Sequence, residues 1–130
     1  QELHYAGAYR PLIIYHEGER RKIEADHMPI GVYATETKPF TNNKLPLCSG
    51  DMLYLFTDGI VDQFGYDDKK GKESKYTARR LYELLDDINT QTCEEQSATI
   101  CKEIDDWRRV STTLESEQTD DNLMVGIRIK

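Results

Sequence analysis

The stretch GDMLYLFTDGIVDQFG, residues 50–65, places the tightest limit on how this chain can fold. Met52, Leu53, Tyr54, Leu55 and Phe56 form an unbroken apolar run. Such a run reads as a strand buried on both faces, not as an alternating surface strand. It ends abruptly at Thr57-Asp58-Gly59. A carboxylate at the end of a buried strand must be hydrogen-bonded, paired or bound to a cation, because burying it bare is costly. The rest of the chain has to provide neighbours for this strand, cover for its faces, and a partner for Asp58.

The segments before it supply strands. Residues 3–9 (LHYAGAY) and 12–18 (LIIYHEG) are short runs rich in β-branched and aromatic residues, separated by Arg10-Pro11. Gly18 marks a hairpin turn, and 21–25 (RKIEA) is the returning strand. Pro29 and Gly31 punctuate a loop, and 37–51 is turn-rich with one edge strand near 43–47. After Phe64 the character changes. The polar, glycine-containing stretch 65–74 (GYDDKKGKES) reads as an exposed loop. Leu81, Leu84, Leu85 and Ile88 fall at helical spacing within 75–89. Thr92 and Glu95 form a capping box that opens a second helix to about residue 107, with Ala98, Cys101, Ile104 and Trp107 on its inner face. A polar loop over 111–121 precedes a final strand, 122–130. The expected architecture is one α/β domain of the α+β type over 1–130. It has a mainly antiparallel sheet and two helices on one face.

A chain of 130 residues is long enough for one such core. Its 38% hydrophobic and 32% charged residues are a globular balance. The net charge of −7 argues against a general nucleic-acid partner, because phosphates repel it, and favours divalent cations or basic surfaces. No apolar run approaches the roughly 20 residues of a membrane helix, so direct membrane insertion is not expected. Cys48, Cys93 and Cys101 contain no CxxC spacing and read as free thiols of a cytoplasmic protein.

If the terminal strand lies antiparallel beside 52–57, its start, Asp120-Asp121, falls next to Asp58. Carboxylates that close cannot all stay ionised without a cation, and a hard divalent ion suits them. Gly59 would let the backbone turn sharply and approach a ligand closely. The plainer reading makes Asp58 a turn cap and Asp120-Asp121 an Asx-turn. Residue types and spacing alone leave both readings open. The three histidines, His4, His16 and His27, are dispersed and read as surface residues. No HExxH, P-loop, GxSxG or EF-hand pattern occurs.

The motifs GDMLYLFTDGIVDQFG and QTDDNLMVGIRI, preceded by LHYAGAYRPLIIYHEGE and MPIGVY, resemble the later motifs of the metal-dependent protein phosphatases. These are the PPM or phosphatase 2C-like family, and the match is to its bacterial SpoIIE/RsbU-type branch. The resemblance runs in order along essentially the whole chain. It implies a partial α-β-β-α sandwich that is the C-terminal portion of a phosphatase domain. It also implies two Mg²⁺ or Mn²⁺ ions and hydrolysis of phosphoserine or phosphothreonine by metal-bound water, with no enzyme nucleophile. By resemblance Asp58 and Asp120 are metal ligands, and Gly59 and Asp121 lie close to the ions, with Asp121 the ligand in an alternative register. The implied partners are a phosphorylated signalling protein, such as an anti-sigma antagonist, a sensor module in the same parent chain, and a second copy of the chain. The parent can be membrane-anchored through another domain and act in two-component signalling. The sequence also departs from the family. Leu123 stands where a threonine is usual, Ala8-Tyr9 replaces the usual end of the AGH motif, and the family's other Asp-Gly metal motif does not occur. The expectation is therefore weak metal binding and little hydrolysis by this chain alone. The alternative is a catalytically silent, PPM-like interaction module.

Overall fold

The structure, a computed structural model, describes residues 1–31, 38–109 and 116–130. The expectations for the end of the MPIGVY segment and for the start of the 111–121 loop lie outside those residues. The chain divides into two compact units, Gln1–Leu55 with Val125–Lys130, and Phe56–Met124.

The first unit is built from strands β1 (Glu2–Tyr5), β2 (Leu12–His16), β3 (Glu19–Ile23), β4 (Asn43–Pro46) and β5 (Met52–Phe56). It also takes in most of the last strand of the chain, Met124–Arg128. These strands do not make one sheet as expected. A four-stranded sheet has the order β3-β2-β5-last strand, and β1 pairs separately with β4. The separation has a packing reason. Leu12, Ile14 and Leu53 form a buried cluster against which Leu3, Tyr5, Ile23, Leu47, Leu55 and Ile129 pack, so the two sheets share one apolar layer. The β2–β3 hairpin closes through Glu17 and Gly18, both with positive φ (51° and 81°), as a two-residue primed turn. All of β2 is buried, and Met52, Leu53 and Tyr54 of β5 are buried with it. Their pairing is antiparallel, with Ile14 opposite Leu53. The terminal strand does lie beside β5. Gly50 N–H donates to Ile129 O (2.9 Å) at one end and Thr57 N–H to Leu123 O (3.0 Å) at the other, an antiparallel run.

The second unit holds a one-turn helix α1 (Asp58–Asp62), a hairpin of β6 (Phe64–Asp67) and β7 (Lys72–Lys75), and helices α2 (Ala78–Ile88) and α3 (Cys93–Arg108). The last strand, now β8 (Met124–Arg128), begins here. Where 65–74 reads as an exposed loop, the structure has the β6–β7 hairpin. Its inward positions are Gly65 and Asp67, so no apolar alternation betrays it. Asp67 holds the turn together by accepting Lys69 N–H at its carboxylate (3.1 Å) and Lys70 and Gly71 N–H at its carbonyl (3.0 and 2.8 Å). The capping box at Thr92 and Glu95 forms as expected. On α3, Ile104 and Trp107 are buried as expected, but Ala98 and Cys101 are exposed and Gln96 is buried instead. Gln96 turns inward because its amide donates to the carbonyls of Asn89 (3.3 Å) and Gln91 (2.9 Å), satisfying the backbone that leaves α2.

The Asp67 carboxylate is buried beside Arg80 (2.7 Å) and Lys70 (3.3 Å). Burial pushes its pKa up, but those two cations outweigh burial and hold it below the usual 3.8. A depressed folded-state pKa stabilises above the unfolded value and is lost as pH falls through the folded value. Urea midpoints should therefore hold steady near neutrality and fall on acidification below about pH 4. Asp67→Asn should lower the neutral midpoint and flatten that acid limb. An unchanged limb would remove Asp67 from the account.

Candidate metal centre

Asp58 sits half-buried as the first residue of α1, immediately after β5. Asp120 and Asp121 are exposed and lead into β8. The segments that carry them are stitched together by Thr57. Its hydroxyl donates to Asp121 O (2.8 Å) and accepts from Leu123 N–H (3.0 Å), while its own N–H donates to Leu123 O (3.0 Å). Gly59 makes this approach possible. A Cβ there would overlap the Asp121 carbonyl and lie 2.6 Å from Asn122 Oδ1. Gly59 has no positive φ and stands inside α1. It serves close approach and does not supply the sharp turn expected of it.

The loop before Asp120 is also anchored. Gln63, fully buried, donates through its amide to Glu117 O (2.8 Å) and accepts Thr119 N–H (3.2 Å). Gln118 donates to Asp120 O (2.9 Å). Asp120 Oδ1 accepts the N–H of the next residue, Asp121 (2.7 Å), a local bond that orients the carboxylate. Thr57 and Gln63 are the residues that sequence reading missed. The position of Thr57 between a buried strand and an aspartate was the available signal for the first. Nothing in the sequence marked Gln63, because its partners lie 54 and 56 residues away.

As a donor set, these segments offer carboxylate, amide and carbonyl oxygens, the ligand types that a hard divalent cation takes. The two motifs meet at a close approach that only a glycine permits.

His16 does not lie at the surface as expected. It is buried, and its Nδ1 bonds the Asp51 carboxylate at 2.8 Å. Asp51 also accepts Cys48 N–H (2.9 Å) and the Glu17 N–H. Burial raises its pKa, but the hydrogen bonds from Cys48, His16 and Glu17 bring it below the ordinary carboxylate value.

The fold is that of PP2C-type phosphatase domains. The chain overlays on the SiaA-PP2C domain of Pseudomonas aeruginosa with a TM-score of 0.79 and 25% identity, covering 99% of this chain and 47% of that one. It is also similar to the PP2C phosphatase domain with a fragment of the regulatory domain of the cell fate determinant SpoIIE from Bacillus subtilis. There the TM-score is 0.68 and the identity 18%, covering 98% of this chain and 34% of that one. A crystal form of the Bacillus subtilis SpoIIE phosphatase domain without domain swapping gives 0.60 and 19%, covering 98% and 49%. The chain thus spans half or less of each of these structures. No protein of curated function matches the sequence. Residues 1–130 match the family described as Stage II sporulation protein E (SpoIIE), and the chain belongs to that family.

Proposed function

We propose that this chain is the C-terminal portion of a phosphatase domain that hydrolyses phosphoserine or phosphothreonine on a bacterial signalling protein. Asp58 and Asp120 are the cation ligands it contributes. The observation that carries this reading is the Thr57 stitch, which joins TDG to TDDN. In this reading Asp121 is a positioning residue: its N–H aims the Asp120 carboxylate and leaves Oδ2 for the ion. Gly59 lets the two segments close, and Gln63 holds the loop that delivers Asp120. Bound Mg²⁺ or Mn²⁺ would supply water activation and neutralise phosphoryl charge. The remaining ligands come from the other Asp-Gly motif of the family, which these residues do not contain. The parent acts in the cytoplasm next to a sensor module, and a second copy of the chain can pair with it. Among the described residues no helix is long and apolar enough to cross a membrane.

The test is release of phosphate from p-nitrophenyl phosphate and from phosphoserine and phosphothreonine peptides, by the chain and by its full-length parent. Mn²⁺-dependent release by the parent, abolished by EDTA, is expected, with little from the chain alone. Leu123 in place of the usual threonine favours a second reading, a catalytically silent PPM-like interaction module. A parent that binds its partner protein but releases no phosphate with either metal would establish that reading instead.

A further inference from the structure

The end of the β2–β3 hairpin and the turn before β5 bring together His16, Glu17 and Cys48. One ligand atom from each lies within 4.8 Å of the others. Among the described residues this is the group of three potential ligands that the fold assembles. The three donors differ in kind: an imidazole, a carboxylate and a thiol. Glu17 and Cys48 are exposed, and His16 is buried behind them.

One buried carboxylate organises all three. Asp51 is 3% exposed and bonds the His16 ring, the Cys48 N–H and the Glu17 N–H. Because Asp51 accepts at Nδ1, His16 carries its proton there and presents the Nε2 lone pair elsewhere. A histidine ligand oriented by a carboxylate on its other nitrogen is the recurrent arrangement behind zinc sites. The turn that holds Cys48 is closed by Asp51 N–H donating to Cys48 O (3.2 Å). Glu17 occupies the left-handed position of a primed turn (φ 51°), where asparagine or glycine is the favoured residue.

We propose that His16, Glu17 and Cys48 form a binding site for a borderline-soft transition-metal ion, Zn²⁺ above all, distinct in residues and chemistry from the Asp58–Asp120 oxygen site. The thiolate and imidazole select zinc over Mg²⁺ or Mn²⁺. Zinc bound at about 2.0–2.3 Å from each donor requires donors roughly 3.5 Å apart. The two exposed side chains can close that difference by rotation. On binding, the Cys48 thiol gives its proton to solvent, and the fourth tetrahedral position stays open to water.

Site-resolved alkylation tests this on the chain itself, because Cys93 and Cys101 are also exposed and serve as internal controls. Mass spectrometry would follow the alkylation rate of each cysteine with added Zn²⁺, Mg²⁺ or neither. Zinc should slow Cys48 by at least about tenfold and leave Cys93 and Cys101 unchanged, and Mg²⁺ should do nothing. Asp51→Asn should shift the zinc midpoint about 10–100-fold upward. Glu17→Asn, which suits the left-handed turn, should keep or raise the unfolding midpoint while weakening the protection. That variant answers the question even if Asp51→Asn fails to fold. Equal labelling of all three cysteines with zinc present would overturn the proposal. So would protection of Cys48 that survives both Glu17→Asn and His16→Gln. Neither outcome depends on phosphatase activity.

Discussion

Replacing Asp58 by asparagine in the complete phosphatase domain is expected to lower Mn²⁺-dependent phosphoester hydrolysis by at least about 100-fold. Loss of a residue that merely supports a ligand typically weakens metal sites about 10–100-fold, and loss of a ligand should do no less. Asparagine keeps the shape of the side chain but offers a neutral oxygen to a hard cation. Excess Mn²⁺ should recover part of the loss, since the defect is largely one of affinity. Thr57 and Gly59 are untouched, so the stitch to Asp121 and Leu123 remains and the unfolding midpoint should barely move. In the proposed reading the chain alone supplies only part of the donor set, so there the same substitution should leave residual hydrolysis unchanged. The decisive measurements are p-nitrophenyl phosphate turnover against Mn²⁺ concentration for both lengths of protein. Full activity in the long Asp58→Asn protein would remove Asp58 from the metal site. Strong Asp58-dependent turnover by the short chain would show that its own residues suffice.

Trp107→Ala should destabilise the second unit by about 3–5 kcal/mol, the usual range for removing a large buried aromatic. Trp107 is 7% exposed. Its ring meets Tyr76 edge-on at 5.5 Å and carries the Arg80 guanidinium 4.4 Å from its centroid. Its indole N–H donates to Gln63 O at 3.1 Å. Gly65 packs so closely that a Cβ would lie 2.6 Å from Trp107 Cδ1. Alanine leaves a cavity and strips that carbonyl of one of two donors, Tyr76 N–H (2.9 Å) being the other. The consequence should reach the candidate metal centre, because Gln63 also pins 117–119. Urea unfolding followed by circular dichroism gives the loss, and hydrogen exchange at Thr119 gives the loosening. Trp107→Phe should recover most of the stability but not the exchange protection. A solvent-like emission maximum for Trp107 in the native protein would contradict this packing.

Several features were legible because they depend on neighbours in sequence. The β2 and β5 strands announce themselves through unbroken apolar runs, the β2–β3 turn through Gly18, and α3 through Thr92 and Glu95. The order of motifs along the chain also pointed to the phosphatase family. The β6–β7 hairpin was hidden because its inward residues are glycine and aspartate, whose reasons to be buried are Trp107 and Arg80, far along the chain. Helix α1 is too short to show a period. On α3 the pattern finds Ile104 and Trp107, but hydrophobicity favours Cys101 over Gln96, whereas the end of α2 needs an amide.

The sequence by itself determined the buried strands β2 and β5, the helices α2 and α3, the family, and the aspartates that could serve a cation, since all of these reside in local pattern. Only the tertiary structure decided that Thr57 and Gly59 join the two acidic motifs. It alone showed that Gln63 anchors the approach to Asp120, and that Asp51 turns His16 inward beside Glu17 and Cys48. Those relations rest on hydrogen bonds and close approaches between residues tens of positions apart. Their geometry is fixed by how the strands register and the core fills, and local residue pattern does not encode it.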